Sequence, residues 1–309
     1  MLHSRLLRYL DEVVNSGSIR QAAERLNVAS SSINRQILEL EDQLQAQIFE
    51  RLPRGLRLTA AGEMLITHVR QTLRDHDQVQ TRILELKGLS RGTIRIATMN
   101  GLASGIISQL AVEFKKKHPG VTIVVKSLLG DDIIKAVEQA DVDIGLGYSM
   151  RTDPSLHIMD VFEARLGAVV ANDHPLATLP GVRLSQCCEY PIVLADQTLS
   201  IYRLIQNACM GSKVTMQPAF ETNSIELMKY LAMHDNAVTF LSATDVSEEV
   251  RENRLVYVRI LDRSLKPHPL TLVHRTNSSL ALAPALFAES VRQAVSKLFQ
   301  RSSRSPTDA

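Results

Sequence analysis

The stretch Ser18 to Ile37, SIRQAAERLNVASSSINRQI, constrains this chain more than any other. Ser18 reads as a helix cap, its hydroxyl placed to accept from the orphan N–H groups of a first turn. Ile19, Ala22, Ala23 and Leu26 come next at helical spacing and give that helix one apolar face. The small pair Ala22–Ala23 suits a place where two helices approach closely. Asn27 tolerates the left-handed backbone of a tight turn. Beyond Val28, a second helix carries Ile33, Ile37 and Leu40 inward and Ser30, Ser31, Asn34 and Arg35 outward. Short hydrogen-bonding groups beside a guanidinium can read base edges in a major groove. Two helices joined by a short turn, the second one polar outward, form a helix-turn-helix.

A small helical hairpin with no nucleic-acid role shows the same spacing, so the residues after Leu44 decide more. Gln47-Ile48-Phe49-Glu50-Arg51 leads into Leu52-Pro53-Arg54-Gly55-Leu56-Arg57-Leu58-Thr59. That is two short apolar runs around a Pro/Gly turn, with Arg51, Arg54 and Arg57 at every third position. Beside a recognition helix, such a hairpin is a wing whose arginines hold phosphates or enter the minor groove.

These residues resemble the winged helix-turn-helix of the LysR-type transcriptional regulators. The likeness rests on AAERLNVASSSINRQILELEDQL and IFERLPRGLRLTAAGE, with Arg51, Arg54, Leu58-Thr59 and Gly62, and continues more weakly through the whole chain. Members of that family often carry Gln and Pro or Ala where this chain has Ser30-Ser31-Ser32, so a preferred base sequence does not transfer. The resemblance implies double-stranded DNA as a partner, met by Ser30, Ser31, Ser32, Asn34, Arg35, Arg51, Arg54 and Arg57. It also implies a small-molecule effector, a homodimer or homotetramer, and RNA polymerase as a candidate further partner.

The chain of 309 residues is long enough for two or three domains, each with its own core. Apolar residues at 45% and charged ones at 22% are ordinary for a globular protein. The formal net charge of +2 argues for no partner by itself. Its distribution says more: no lysine precedes Lys87, so apart from histidine the cations of the helix-turn-helix region are arginines. Arginine makes bidentate contacts to guanine and phosphate. Met1 to Arg5 runs straight into an amphipathic helix without a signal peptide, and no apolar stretch nears the ~20 residues of a transmembrane helix. The expected compartment is the cytoplasm, with no membrane partner.

Taken in order, Leu2 to Asn15 forms a first helix with Leu6, Leu7, Leu10, Val13 and Val14 on one stripe, stopped by Asn15-Ser16-Gly17. After the wing, Thr59 starts a long helix ended by Gly88, roughly 40 Å at 1.5 Å per residue. A heptad places Leu65, Thr72, Val79 and Leu86 in one row and Val69, His76 and Ile83 in the other. A partner chain is the natural cover for so narrow a stripe, the alternative being that the stripe rests on its own chain. The family resemblance implies a linker helix that dimerises the DNA-binding domains.

Gly88-Leu89-Ser90-Arg91-Gly92 reads as a hinge. Past it, strand and helix alternate. The strand Thr93 to Thr98 precedes a helix carrying Leu102, Ile106, Leu110 and Phe114. A strand Val121 to Lys126, a helix from Asp131 and a strand ending at Gly147 come next. This βαβαβ pattern predicts a mainly parallel sheet. A second unit begins near Arg165, with strands Leu166 to Val170, Pro191 to Leu194, Thr215 to Glu221, Ala237 to Leu241 and Leu255 to Ile260. Helices opened by Ser200 and Asn223 lie among them. The strand Leu270 to Arg275 and the helix Leu280 to Phe299 return to the first unit, and Ser302 to Ala309 reads as a disordered tail.

The expected fold is thus α/β. A winged helix-turn-helix domain (1–58) and a linker helix (59–88) precede a two-lobed effector domain (89–309) resembling periplasmic binding proteins. Lobe I spans about 89–163 and 267–301, and lobe II about 164–266. In open α/β sheets, ligands sit beyond the carboxyl ends of strands near helix N-termini. Those positions hold Thr98, Asn100, Gly101, Ser127, Tyr148, Ser200 and Thr222, a set of hydroxyls, an amide and a glycine suited to a small polar or anionic molecule. Each alone is explained by ordinary capping; the candidate site rests on their convergence. LysR-type co-inducer sites lie in this cleft, and Thr98, Asn100, Gly101, Ser127 and Thr222 fall at matching places.

No catalytic constellation is legible. The nine histidines show no metal-ligand spacing, and neither a nucleophile elbow nor a phosphate-binding glycine loop occurs. No cofactor is expected, and the chain is read as no enzyme. The rival reading is a two-lobed small-molecule-binding protein or enzyme with an N-terminal assembly domain. Cys187, Cys188 and Cys209 form neither a disulfide framework nor a metal motif and read as buried thiols. In the peroxide-sensing branch of the resembled family, two cysteines bracket the helix near Ser200 to Met210. Cys209 matches one of them, but the partner's region holds Ser200.

Overall fold

The computed structural model describes residues 5–52, 55–86, 92–276 and 278–303. The chain divides into two compact units, Met1–Ser90 with Gln139–Asp141, and Arg91–Glu138 with Val142–Ala309.

In the first unit, helices α1 (Arg5–Ser16), α2 (Ile19–Leu26) and α3 (Ser30–Leu44) precede a hairpin of β1 (Phe49–Leu52) and β2 (Gly55–Leu58), then α4 (Ala60–Leu86). Their apolar stripes meet in one core containing Leu10, Val13, Ala22, Ala23, Ile33 and Ile37. Asn27 takes the left-handed turn expected of it, φ 53° and ψ 49°. Ser18 departs from expectation. It has the extended backbone of a cap, but its hydroxyl caps no N–H. Its carbonyl is what the turn uses, accepting from Ala22 N and Ser16 Oγ, each at 3.0 Å.

The long helix α4 also corrects part of the heptad reading. Ile66 and Val69 are buried in the unit's own core, so the first turns of the stripe cover this chain. Val79, further along, is 49% exposed and remains free to meet a partner. The side chains of Ile83 and Leu86 and the expected hinge at 88–92, apart from Gly92 itself, lie outside the described residues.

The second unit holds two five-stranded sheets. The first consists of β3 (Gly92–Thr98), β4 (Val121–Ser127), β5 (Ile144–Tyr148), β6 (Leu156–Ala164) and a late strand, β12 (His268–Arg275), in the order β4-β3-β5-β12-β6. The second consists of β7 (Leu166–Ala171), β8 (Ile192–Ala195), β9 (Phe220–Thr222), β10 (Val238–Ser242) and β11 (Leu255–Arg259), in the order β11-β7-β10-β8-β9. Helices α5 (Asn100–Leu102), α6 (Ser108–Lys117), α7 (Gly130–Glu138) and α12 (Leu282–Ser303) accompany the first. Helices α8 (Leu184–Cys187), α9 (Ser200–Ser212), α10 (Ile225–His234) and α11 (Ser247–Arg251) accompany the second.

The sheets are mixed, not mainly parallel. β3 runs parallel to β4 and β5, and β8 parallel to β9 and β10. However, β12 is antiparallel to β5 and β6, and β7 to β10 and β11. Only a helical crossover forces parallel pairing. β7 and β12 are reached directly from the other lobe and enter their sheets from the opposite end. β6 has no counterpart in the sequence pattern, because only two of its nine residues are buried, and apolar and polar residues are interspersed on both of its faces. The strand expected over Thr215 to Glu221 shrinks to Phe220–Thr222, as Pro218 has no N–H to give a ladder.

Leu102, Ile106, Leu110 and Phe114 are all buried as their spacing implies, yet the helix carrying them is interrupted. A π-helical turn over Ala103–Ile107 separates α5 from α6, with Gly105 at ψ −112°. A Cβ on Gly105 would sit 2.3 Å from the Thr244 carbonyl, so the chain turns where the lobes touch backbone to backbone.

Candidate nucleic-acid interface and inter-lobe cleft

On α3, Ser30, Ser31 and Arg35 are exposed, while Ser32 and Asn34 are half-buried. All five lie on the helix opposite or flanking the buried Ile33 and Ile37. Arg35 Nε lies 3.6 Å from Glu39 one turn on, an exposed pair that competes only weakly for the guanidinium. On the wing, Arg57 faces Glu50 across the hairpin and donates to it from Nε and Nη2 at 3.1 and 2.6 Å. Arg57 is therefore braced by the wing itself. The Arg51 backbone pairs with Leu56; its side chain, and Arg54 altogether, lie outside the described residues.

Two residues set the wing: Glu41, which the sequence did not single out, and Thr59, read there only as the start of the long helix. Glu41 Oε1 accepts from Ile48 N at 2.7 Å and Phe49 N at 3.2 Å, tying the wing strand to α3. Thr59 Oγ1 donates to the Gln47 carbonyl at 2.6 Å and accepts from Gly62 N at 3.0 Å, capping α4. The polar outer face of a helix and an adjoining hairpin are thus held in one rigid arrangement.

In the second unit the structure brings four expected residues together. Thr98 ends β3 beside Ser127 at the end of β4. Asn100 Oδ1 lies 3.5 Å from Ser127 Oγ, and Gly101 comes next in α5. Thr98 is fully buried and its hydroxyl finds no hydrogen-bond partner among the described residues. A buried hydroxyl without a partner is costly unless something else completes it. Asn100 and Ser127 are exposed. In the second sheet, Thr222 ends β9 opposite Ala195 of β8, and its Oγ1 accepts from Ser224 N at 3.1 Å. Ser200 is the first residue of α9 and half-buried. Ser224, rather than Asn223, caps α10.

Tyr148 departs from the role assigned to it. It is buried, its hydroxyl already shares a short hydrogen bond with Thr244 Oγ1, and its ring stacks on His268 at 4.4 Å. It joins the lobes rather than facing open space. Around it lies a polar cluster missed by sequence reasoning. His268 Nε2 meets Ser242 Oγ at 3.0 Å, Asp245 Oδ2 accepts from Ser242 N at 3.1 Å, and Ile106 N donates to the Thr244 carbonyl at 3.3 Å. Gly101 is required here, because a Cβ would come within 2.7 Å of Asp245 Oδ1. The available signal was the acid in Ser242-Ala243-Thr244-Asp245, directly after an apolar strand.

Burial dominates the electrostatics. It pushes Asp245 up to about 7, against the opposing pull of the Ser242 N–H, the Lys229 charge and the Tyr148 hydroxyl. It pushes His268 down to about 4, so that imidazole is neutral at pH 7, and raises Tyr148 well above its ordinary value. Nearby, Lys229 is 2% exposed and bridges Glu226 at 2.8 Å and Glu249 at 2.9 Å. Burial alone would lower Lys229, but its two carboxylate partners outweigh that and raise it. The three cysteines are free; Cys187 and Cys209 are buried as expected, but Cys188, at the end of the short helix α8, is exposed. Desolvation still raises each thiol, Cys187 to about 12, the opposite of a reactive thiolate.

A helix-turn-helix with a β-wing, preceding a two-lobed α/β domain, defines the class of bacterial helix-turn-helix regulators. The family model described as "Bacterial regulatory helix-turn-helix protein, lysR family" matches residues 4–63, and that described as "LysR substrate binding domain" matches residues 87–296. The chain belongs to the LysR family of transcriptional regulators. It is similar to the transcriptional dual regulator GltC of Bacillus subtilis, 28% identical over 245 residues that cover 79% of this chain and 82% of the relative. Its fold is similar to that of CbnR, a LysR family regulator, in complex with target DNA, with TM-score 0.53, 20% identity and coverage of 94% and 99% of the two chains. A full-length OxyR variant from Pseudomonas aeruginosa matches at TM-score 0.66 and 13% identity over 96% of this chain and 95% of that one. Among the described residues, no helix is long and apolar enough to cross a membrane.

Proposed function

We propose that this regulator binds duplex DNA through α3 and the wing and responds to a small polar or anionic effector held between its lobes. Ser30, Ser31, Ser32, Asn34 and Arg35 face base edges, while Arg51, Arg54 and Arg57 hold backbone or minor groove. CbnR, whose fold this chain shares, is complexed with its target DNA in one of the similar structures, which supports the DNA reading. The effector is placed at Thr98, Asn100, Gly101 and Ser127, with Thr222 and Ser200 contributed by the second lobe. Tyr148 acts there by fixing the lobes. The observation that carries the effector site is the buried Thr98 hydroxyl at the end of β3, without a partner among the described residues. A ligand that completes it favours one lobe arrangement, since equal affinity for both shifts nothing.

The protein works as a homodimer or homotetramer in the cytoplasm, regulates rather than catalyses, and has RNA polymerase as a further partner. The exposed Val79 supports pairing through the outer part of α4. Val79→Glu places a charge in that seam, so light scattering of the full chain should show a smaller apparent mass. An unchanged mass places the seam elsewhere. Screening polar and anionic metabolites by titration calorimetry tests the effector site. Thr98→Val should weaken the ligand so found by roughly 1–3 kcal/mol without lowering the thermal midpoint of the ligand-free protein, and unchanged affinity would move the site elsewhere.

A further inference from the structure

A recess of about 670 Å3 lies where the chain passes between the two sheets, apart from the residues assigned to the effector. That volume is within the range of small-molecule sites. One wall is Phe162 of β6 and Phe299 of α12, whose rings meet edge to face at 6.4 Å. The other is Tyr257 of β11, whose ring lies against Gly167 so closely that a Cβ there would approach it to 2.5 Å. The Tyr257 hydroxyl donates to the Arg165 carbonyl at 3.0 Å. The ring is therefore fixed at both ends, and it bridges β11 to the single-residue connection between β6 and β7.

The charges of the recess are unevenly used. Arg165 is paired with Glu163. Asp160 Oδ1 accepts from Val161 N at 2.8 Å. Arg259 lines the recess beside these aromatic rings and forms no ion pair with any described carboxylate. A planar guanidinium without a counter-ion, next to aromatic faces, matches a flat anion with an apolar body. Aromatic side chains supply apolar area, and offset or edge-on ring contacts orient a bound ring.

We propose that this recess is a second ligand site for an amphipathic aromatic anion. Its ring lies among Phe162, Tyr257 and Phe299, and its carboxylate or sulfonate rests on Arg259. Phe162 and Phe299 belong to the first lobe, and Tyr257 and Arg259 to the second, so an occupant senses the angle between them. Occupancy biases the lobe arrangement independently of any effector at Thr98, whether or not that assignment holds.

The probe is anilinonaphthalene sulfonate, an aromatic anion that fluoresces when desolvated, titrated into the native full-length chain. Saturable binding with one site per chain is expected, unchanged in Thr98→Val. Arg259→Gln should weaken it by about tenfold or more, because a charge-assisted contact is lost. Arg259→Lys should restore part of the affinity, and Phe299→Ala should weaken it while leaving the charge in place. The thermal midpoint of each variant is measured alongside, and the partial rescue by Lys separates loss of a ligand contact from loss of fold. Absence of saturable binding to the wild type overturns the proposal. So does wild-type affinity in both Arg259→Gln and Phe299→Ala, or a loss in Arg259→Gln that Arg259→Lys does not relieve.

Discussion

On α2 and α3 the ion pairs are out in water: Arg20–Glu24 has side chains 85% and 65% exposed, and Arg35–Glu39 73% and 61%. In the two-lobed unit the same chemistry is hidden, with Lys229 at 2% between Glu226 and a Glu249 that is itself 9% exposed. Exposed pairs contribute little to stability and exchange partners readily, which suits arginines that must turn to phosphates and bases. Buried charges cost desolvation and hold only when their partners are in place, which suits a junction whose geometry must be specific. The pairs on α2 and α3 leave their charge available to a partner outside the chain; the Lys229 cluster uses charge to fix the chain against itself.

The largest expected effect comes from breaking the buried side. Lys229→Met leaves the buried Glu249 with only the more distant Arg254, at 3.9 Å, as a cation, and one of its oxygens already lacks a partner among the described residues. A loss on the order of 3–5 kcal/mol is expected in urea unfolding of the two-lobed unit. Adding Glu249→Leu should recover much of it, because the carboxylate then left without Lys229, Glu226, has a side chain 51% exposed to solvent. If the single variant unfolds like the wild type, the buried triad holds nothing.

Next in size is the pH response of the Asp245–His268 cluster. Asp245 is raised to about 7, so its native form binds a proton that the unfolded chain releases, and its contribution to stability falls as pH rises from about 4 to 7. His268 is lowered to about 4, so the unfolded chain binds a proton that the native form refuses, and its contribution falls as pH drops from about 6.5 to 4. The two limbs oppose each other and leave the wild type nearly flat between pH 4 and 7. Asp245→Asn should expose the histidine limb, with stability dropping toward acid. His268→Gln should expose the aspartate limb, with stability dropping toward neutrality. Each slope amounts to a few kcal/mol across the window, and chemical denaturation at stepped pH reads it. Two variants with the same slope would mean the groups are not coupled through burial.

The smallest effect belongs to the exposed side. Glu24→Gln should change the stability of the helix-turn-helix unit by less than about 0.5 kcal/mol at moderate salt. A larger loss would show that the surface pairs are structural after all.

The same contrast explains what could be read from the residues alone. The first unit is local: Ala22 and Ala23, the left-handed Asn27 and the Ile33–Ile37 stripe lie close in sequence and fix one another by helical periodicity. Even there, Glu41 gives no sign of its role, since its work is to accept N–H groups from a strand beginning eight residues later. In the second unit the strand ends located Thr98, Asn100, Gly101 and Ser127, which do meet. The inter-lobe cluster did not show, because Tyr148 and Thr244 are 96 residues apart and neither belongs to a recognisable motif. Gly105 reads as one more residue of an amphipathic helix, and only the fold sets the Thr244 carbonyl against it. Mixed pairing in the sheets has the same origin, since which end a strand enters from depends on the route between lobes.

The division of labour between the two regions is tested most directly by selecting bound duplexes from a randomised site library with the wild type, Arg35→Ala and Thr98→Val in parallel. Arg35→Ala is expected to weaken specific binding by on the order of 1–3 kcal/mol and to relax preference at one position. Thr98→Val should select the same sequences as the wild type with the same affinity, since the recognition helix and wing are untouched. A Thr98→Val protein that loses site selection, or an Arg35→Ala protein that loses affinity equally for every sequence, would contradict it.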